Sequence, residues 1–301
     1  MISNIREGTI IYSICLLVMY RESMLKIPCY RLMFFNGVTD ILNLITGSLF
    51  AAYFHFNGTV YCSNQLLNHV VGHLTYSFWD GASFNCVILA VNRAVEMLPY
   101  ARRFNFLFRG KSIYGWMFLS IFYMVARSFL SRPNPFNSSV SSYFFPPFIS
   151  DDIAWEMSHY APFLLPLHNI FIAATLIVVY TIVCVYVIHE KRLAHSRTDR
   201  MEIMLFLQVL SLCVTTATAS LIYVYMNYFT SPTALIIAAN IVWQISHGVH
   251  GIVYLVVNQQ LRRGLWSLFK CKGTAISGID GNSGVKIQIK IKAEKAISSS
   301  H

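Results

Sequence analysis

Apolar residues gather into six long stretches: Leu32–Phe54, Leu66–Asn92, Ser112–Leu130, Tyr160–Ile188, Ile203–Phe229 and Thr233–Val257. Together they hold only three charged side chains, Asp40, Asp80 and Arg127. A helix of about 20 residues spans a hydrocarbon core about 30 Å thick, so each stretch reads as a membrane-crossing helix. A seventh, Gly8–Tyr20, has the same character over 13 residues, a helical reach of only ~20 Å. The pattern predicts an all-α polytopic membrane bundle of seven transmembrane helices, the first either truncated and lacking its outer half, or a short span in a locally thinned bilayer to which Ile2–Ile5 add some length. Arg21, Glu22 and Lys26 follow that short stretch where a signal peptide would carry a small-residue cleavage site.

Composition agrees. The chain is 55% hydrophobic and 12% charged, about half the charged fraction of a soluble domain. One membrane domain over residues 1–273 and a disordered basic tail over 274–301 account for the length. A net charge of +10 raises the question of nucleic acid. Its distribution excludes that partner, because the cations sit in short segments between spans and in the tail.

Counting Lys and Arg on alternate connections gives an orientation. Of the 23, only Arg6, Arg127 and Arg132 fall on one side, and cytoplasmic segments carry the excess. The expectation is an extracellular N-terminus and a cytoplasmic C-terminus at the plasma membrane. Two glycosylation sequons, Asn57-Gly58-Thr59 and Asn137-Ser138-Ser139, both fall on the side assigned as extracellular.

Carboxylates inside a membrane are costly and mark function or buried partners. Asp40 and Asp80 lie mid-span in neighbouring helices, at a depth where they could share an ion or proton, or each lock helix packing. Histidines raise a metal as a second question. His69 and His73 stand at i, i+4, and His247 and His250 at i, i+3, each pair on one helical face. A zinc hydrolase needs three ligands and an open position, and these pairs lie at different depths. His69 and His73 are expected to line an outer vestibule, and the other pair to pack within the bundle. No lysine occurs between Lys191 and Lys270, which excludes a retinal Schiff base in the last span.

The connection from Ser131 to His159 is long and rich in Pro, Phe and Ser. Such loops over a membrane bundle act as lids or binding loops, or are weakly ordered. Pro162 and Pro166 are expected to bend the outer end of the fifth span. After the last span, Leu261, Leu265, Leu268 and Phe269 form one stripe beside Arg262, Arg263 and Lys270. This predicts an interfacial helix over 258–272 on the inner leaflet, with Cys271 a candidate palmitoylation site.

The third span closes in Leu89-Ala90-Val91-Asn92-Arg93-Ala94-Val95-Glu96, where rhodopsin-like receptors carry an Asp-Arg-Tyr-type switch. Together with Cys29-Tyr30-Arg31-Leu32-Met33 leading to Asp40, Pro135-Phe136-Asn137-Ser138, Trp243-Gln244, His247-Gly248 and Ile252-Val253-Tyr254-Leu255 ending in Asn258 and Arg262, this resembles the nematode serpentine chemoreceptors of class T. The similarity runs from about Gly8 to Phe269. It implies a rhodopsin-like G-protein-coupled receptor for a small extracellular ligand, read by a heterotrimeric G protein, with a sensory cilium as one location and with no cofactor. The resemblance assigns switch roles to Asn92, Arg93, Asp40, Tyr254 and Asn258. The candidate ligand pocket comprises His73, Tyr76, Asp80, His168, Tyr223, Trp243 and Gln244, aromatic and nearly neutral. A neutral Asn92 where the family of switches has an acid implies a weaker hold on Arg93 at rest. Seven-helix receptors tie the position of Cys62 to a cysteine in the second extracellular loop, and this chain has none between Cys86 and Cys184. A transporter or channel-like bundle is the alternative reading, against which stands the lack of an internal repeat.

Overall fold

A computed structural model describes residues 2–132, 134–192, 200–229 and 231–273. Helices dominate. They are α1 Ile2–Arg21, α2 Pro28–Leu44, α3 Ala51–Phe56, α4 Gln65–Met97, α5 Ser112–Leu130, α6 Ile153–Tyr160, α7 Leu164–Arg192, α8 Arg200–Tyr228, α9 Thr233–Val257 and α10 Gln259–Gly273. The chain forms two compact units, Met1–Leu265 and Trp266–His301. In the second, the described residues continue α10, and the tail 274–301 lies outside them.

Local chemistry sets the ends. Pro28 opens α2 at a position whose N–H has no helical partner. The Asn64 side chain caps α4 by accepting from Leu67 N, and Asp152 caps α6 by accepting from Trp155 N. The expected bend at Pro162 and Pro166 is instead a break. The segment ahead of it forms the separate helix α6, Pro162 lies between helices, and Pro166 sits in the first turn of α7. A first turn has free N–H groups, so a proline there disturbs nothing.

Among the described residues, five helical segments are long and apolar enough to cross a membrane: Pro28–Phe56, Ser112–Leu130, Leu164–His189, Ile203–Tyr228 and Thr233–Val257. The apolar part of α1 is shorter, Gly8–Arg21, although the helix itself extends back to Ile2. The longest helix, α4, is not among the five, and its position explains why. It packs against α2, α5, α7 and α8, so protein surrounds it and it can carry Asn68, Asp80, Asn85, Asn92 and Arg93, all buried. The outer helices show the opposite pattern. Phe118, Phe122 and Phe129 of α5 and Ile177, Val178 and Val185 of α7 are exposed, as a lipid-facing surface requires.

Two distortions shape the end of the bundle opposite the basic connections. Between α2 and α3 one π-helical turn, Ile45–Phe50, widens the helix, and carbonyls freed by such a turn need other donors. Tyr143 supplies one to Thr46 O at 2.7 Å, and Gln244 Nε2 another to Gly47 O at 3.0 Å. Tyr143 belongs to a two-stranded hairpin, β1 Phe136–Asn137 and β2 Ser142–Tyr143, paired antiparallel with Phe136 opposite Tyr143. The hairpin closes over the bundle as an ordered lid. Phe136, Tyr143, Phe144 and Phe145 are buried, and the Glu156 carboxylate accepts from the backbone N–H groups of Phe148, Ile149 and Ser150 at 2.6–2.7 Å. Gly72 makes the approach possible, since a Cβ there would lie 2.5 Å from Asn134 O.

Candidate ligand cavity and switch residues

Beneath the hairpin lies a cavity of about 40 Å³, walled by Tyr76 and Trp79 of α4, Tyr143 of β2, Asn169 of α7, Tyr223 of α8 and Trp243 of α9. Gly72, Thr75, Tyr76 and Trp79 reach it together because residues at i, i+3, i+4 and i+7 share one face of a helix. Of the residues expected in a pocket, Tyr76, Tyr223 and Trp243 line this cavity. Gln244 lines a separate hollow of about 300 Å³ with Leu49, Ala52, Ile237, Asn240 and Ile241. His73 is half-buried beside His69, ring centroids 4.6 Å apart, and is not part of the cavity wall. Trp79, Tyr143 and Asn169 are wall residues that sequence reading missed.

Asp80 and His168 are also outside the wall. Asp80 faces α5, one helical face away, where Arg127 Nε donates to its Oδ2 at 3.0 Å. Arg127 also donates to the Tyr76 hydroxyl at 2.9 Å and to Leu164 O at 3.3 Å. His168 Nε2 lies 3.3 Å from the second carboxylate oxygen and 2.9 Å from Ser83 Oγ, and its Nδ1 lies 2.7 Å from the Tyr123 hydroxyl. Two opposite charges thus sit together within the apolar layer, as burial demands. The sequence marks Asp80 and Arg127 as charges within spans but does not pair them.

Asp40 forms a second, separate network, so the two carboxylates share neither ion nor proton. Tyr12 of α1 and Asn36 of α2 each donate to its Oδ2 at 2.8 Å. From α9, His247 Nδ1 lies 2.6 Å from Oδ1 and His250 Nδ1 3.0 Å from Oδ2. The outer ring nitrogens are held in turn, His247 by the Asn43 amide at 2.8 Å and His250 by the Thr215 hydroxyl at 3.0 Å. A fully buried carboxylate is thereby given four polar neighbours from three helices. Close crossing of α1 and α9 brings them together: a Cβ on Gly251 would lie 2.9 Å from the Tyr12 Cα. His247 does not line the cavity but packs behind two of its wall residues, meeting the rings of Trp79 and Trp243 edge-to-face, centroids 5.7 Å from each.

At the far end of α4, Arg93 is buried and donates to the Asn92 side-chain oxygen at 2.9 Å. It is ion-paired with Glu96 one turn on, and Asn92 Nδ2 donates to the same carboxylate at 3.1 Å. Arg93 thus has an acid within reach of its guanidinium. Its acid is Glu96, displaced from the neighbouring position by one helical turn. Asn258 is buried, donates to the Tyr30 hydroxyl and caps α10 by accepting from Gln260 N and Leu261 N. Tyr254, also buried, packs edge-to-face on Tyr12 at 5.6 Å.

A family model described as "Serpentine type 7TM GPCR chemoreceptor Srt" matches residues 8–277. The chain belongs to the Srt family of serpentine chemoreceptors. It is also similar to "Serpentine receptor class T-55" of Caenorhabditis elegans, 26% identical over 235 residues, a match that covers 77% of this chain. The chain spans 63% of that relative's length. The expected family and the all-α multi-pass membrane fold are therefore found.

The remaining site residues of this Srt chain separate clearly. Asn57 is exposed at the end of α3. Asn137 is buried in β1, and its amide oxygen accepts from Ser139 N at 2.9 Å and from Ser139 Oγ at 2.6 Å. Only the amide oxygen of Asn137 is engaged by these two bonds. Cys62 is exposed and free. The side chain of Cys271 lies outside the described residues.

Proposed function

We propose that this chain is the transmembrane core of a chemosensory receptor that takes a small molecule beneath the hairpin and signals through a heterotrimeric G protein. The observation that carries the reading is the stack along α4. The aromatic cavity lies toward one end, the Asp40 network meets its walls where His247 packs on Trp79 and Trp243, and the buried Arg93, paired with the partly exposed Glu96, lies toward the other. A ligand that favours one arrangement of Trp79 and Trp243 acts on His247 directly, and an equilibrium is shifted only by such a difference in contact between states.

The positive-inside count places the hairpin end and Asn57 outside the plasma membrane, and Arg93, α10 and the tail in the cytoplasm. Arg93 is then the group a G protein reads, with Asn92, Asp40, Tyr254 and Asn258 as parts of the switch. Residues 1–273 form the receptor domain and 274–301 a basic tail; Cys271 is a palmitoylation candidate. Nothing in this reading calls for catalysis.

Co-reconstitution with heterotrimeric G proteins in lipid nanodiscs tests the proposal. A mixed panel of small odorous compounds should accelerate nucleotide exchange, and Arg93→Ala should abolish the response at unchanged protein level. Arg93→Lys should also fail, because an ammonium lacks the planar array of donors. Full signalling by both variants would remove the proposed role.

A further inference from the structure

The hollow of about 300 Å³ lies between the π-helical turn with α3 on one side and α9 on the other. It shares no bordering residue with the aromatic cavity: Trp243 walls one and its neighbour Gln244 the other. Ile237, Ile241 and Gln244 stand at i, i+4 and i+7, on one face of α9. That face runs on through Gly248 to Gly251, where α1 packs against it, but no residue of α1 borders the hollow. Leu49 on the opposite wall is exposed, and Ala52, Ile237 and Ile241 are half-buried. The hollow therefore opens sideways, between the spans Pro28–Phe56 and Thr233–Val257, onto a surface that hydrocarbon covers.

Five polar side chains border it: Ser48, His55, Ser141, Asn240 and Gln244. His55 Nδ1 and Ser141 Oγ lie 3.2 Å apart, and Gln244 Nε2 donates to Gly47 O. Asn240 Nδ2 donates to Ser141 O at 3.3 Å. A carbonyl oxygen only accepts, so this bond fixes which end of the Asn240 amide is which. Asn240 Oδ1 and Ser48 Oγ have no hydrogen-bond partner among the described residues, on side chains only 4% and 8% exposed. Both lie about two turns, ~10 Å, inside the ends of their spans, at a depth where an unpaired polar atom is costly. No Asp, Glu, Lys or Arg borders the hollow, so an ionic guest would lose its hydration uncompensated.

We infer that this hollow is a lateral lipid site, which takes a neutral single-chain amphiphile from the leaflet at the hairpin end of the bundle. Its alkyl chain lies along Leu49, Ala52, Ile237 and Ile241. Its head-group hydroxyl donates to Asn240 Oδ1 and accepts from Ser48 Oγ. Long-chain alcohols and monoacylglycerols have this chemistry. An ether or ester oxygen serves Ser48 alone and leaves Asn240 unpaired. The volume equals that of about ten water molecules, the scale of one alkyl chain. A lipid seated there ties α3 to α9 beside the hairpin. The inference goes beyond the receptor reading and does not depend on it.

The test uses the full chain in lipid nanodiscs and a photoactivatable diazirine analogue of 1-dodecanol, with labelled peptides mapped by mass spectrometry. Label is expected on residues 48–55 and 237–244, which border the hollow. Competitors are compared at equal mole fraction in the bilayer. Unlabelled 1-dodecanol should displace the label, and 1-methoxydodecane should do so about tenfold less well, the loss of one hydrogen bond to a buried acceptor. Dodecane and laurate should be weaker still. Asn240→Leu should lower the potency of dodecanol to that of the ether and leave the ether unchanged. Ala52→Phe fills the hollow without touching either polar atom and should abolish the label; it keeps the inference testable where Asn240→Leu fails to fold. Label confined to the peptides of Trp79 and Asn169, displacement by dodecane equal to that by dodecanol, preference for laurate, full labelling of Ala52→Phe, or no label at all would overturn the inference.

Discussion

Asn68 grips the backbone of Phe136 with both ends of its amide. Its Nδ2 donates to Phe136 O at 2.9 Å, and its Oδ1 accepts from Phe136 N at 2.7 Å. A side chain of α4 thus does for the hairpin what an adjacent strand would do. It fastens the loop to the N-terminal end of α4, near which Cys62 stays unbridged.

Replacing Asn68 with Leu leaves both backbone groups of Phe136 buried and unpaired, a loss of about 2 to 4 kcal/mol. The expected result is a thermal transition several degrees lower in detergent. Asn68→Asp retains the acceptor and should lie between wild type and the Leu variant. Equal melting of all three would mean that the hairpin is not held by this pair.

The Asp80–Arg127 pair makes a sharper case. Removing one partner from a buried ion pair strands the other, which costs about 3 to 5 kcal/mol, whereas replacing both by neutral groups costs much less. Arg127→Met is therefore expected to express poorly, and Asp80→Asn combined with Arg127→Met to recover most of the surface level. A double variant worse than the single one would show that the two side chains do not depend on each other.

Glycosylation separates the two sequons. Asn57→Gln should remove one glycan-sized step in a gel-shift assay, and Asn137→Gln should remove none. A step lost only in the Asn137 variant would mean that the hairpin is modified before it closes and that Asn137 is not buried in the mature protein.

Hydropathy located the helices because lipid imposes one requirement on every span, and it says nothing of what each span packs against. Thus α4 was legible as a helix, yet its polar character is explained only by the four helices around it. The π-helical turn at Ile45–Phe50 leaves no periodic signature, since its freed carbonyls are satisfied by Tyr143 and Gln244, remote in sequence. Pairings between helices were the least legible. Asp80 and Arg127 stood out as isolated charges, and the rule that buried charges find partners could have joined them. Glu96 stood in the motif itself, one turn from Arg93, where i, i+3 spacing points to contact. Asn169 carried no local signal; only the fold brings it to Trp79.

The Arg93–Glu96 pair is where the account is most exposed. If Glu96 holds Arg93 in the resting arrangement, Glu96→Gln weakens that hold by a charge-assisted hydrogen bond, about 1.5 kcal/mol, enough to move a two-state equilibrium about tenfold. The measurement is ligand-free nucleotide exchange on a co-reconstituted G protein at matched receptor density. The account predicts exchange raised about tenfold in Glu96→Gln and returned to background when Arg93→Ala is added. Exchange indistinguishable from wild type in Glu96→Gln, or elevated exchange that survives loss of Arg93, would contradict it.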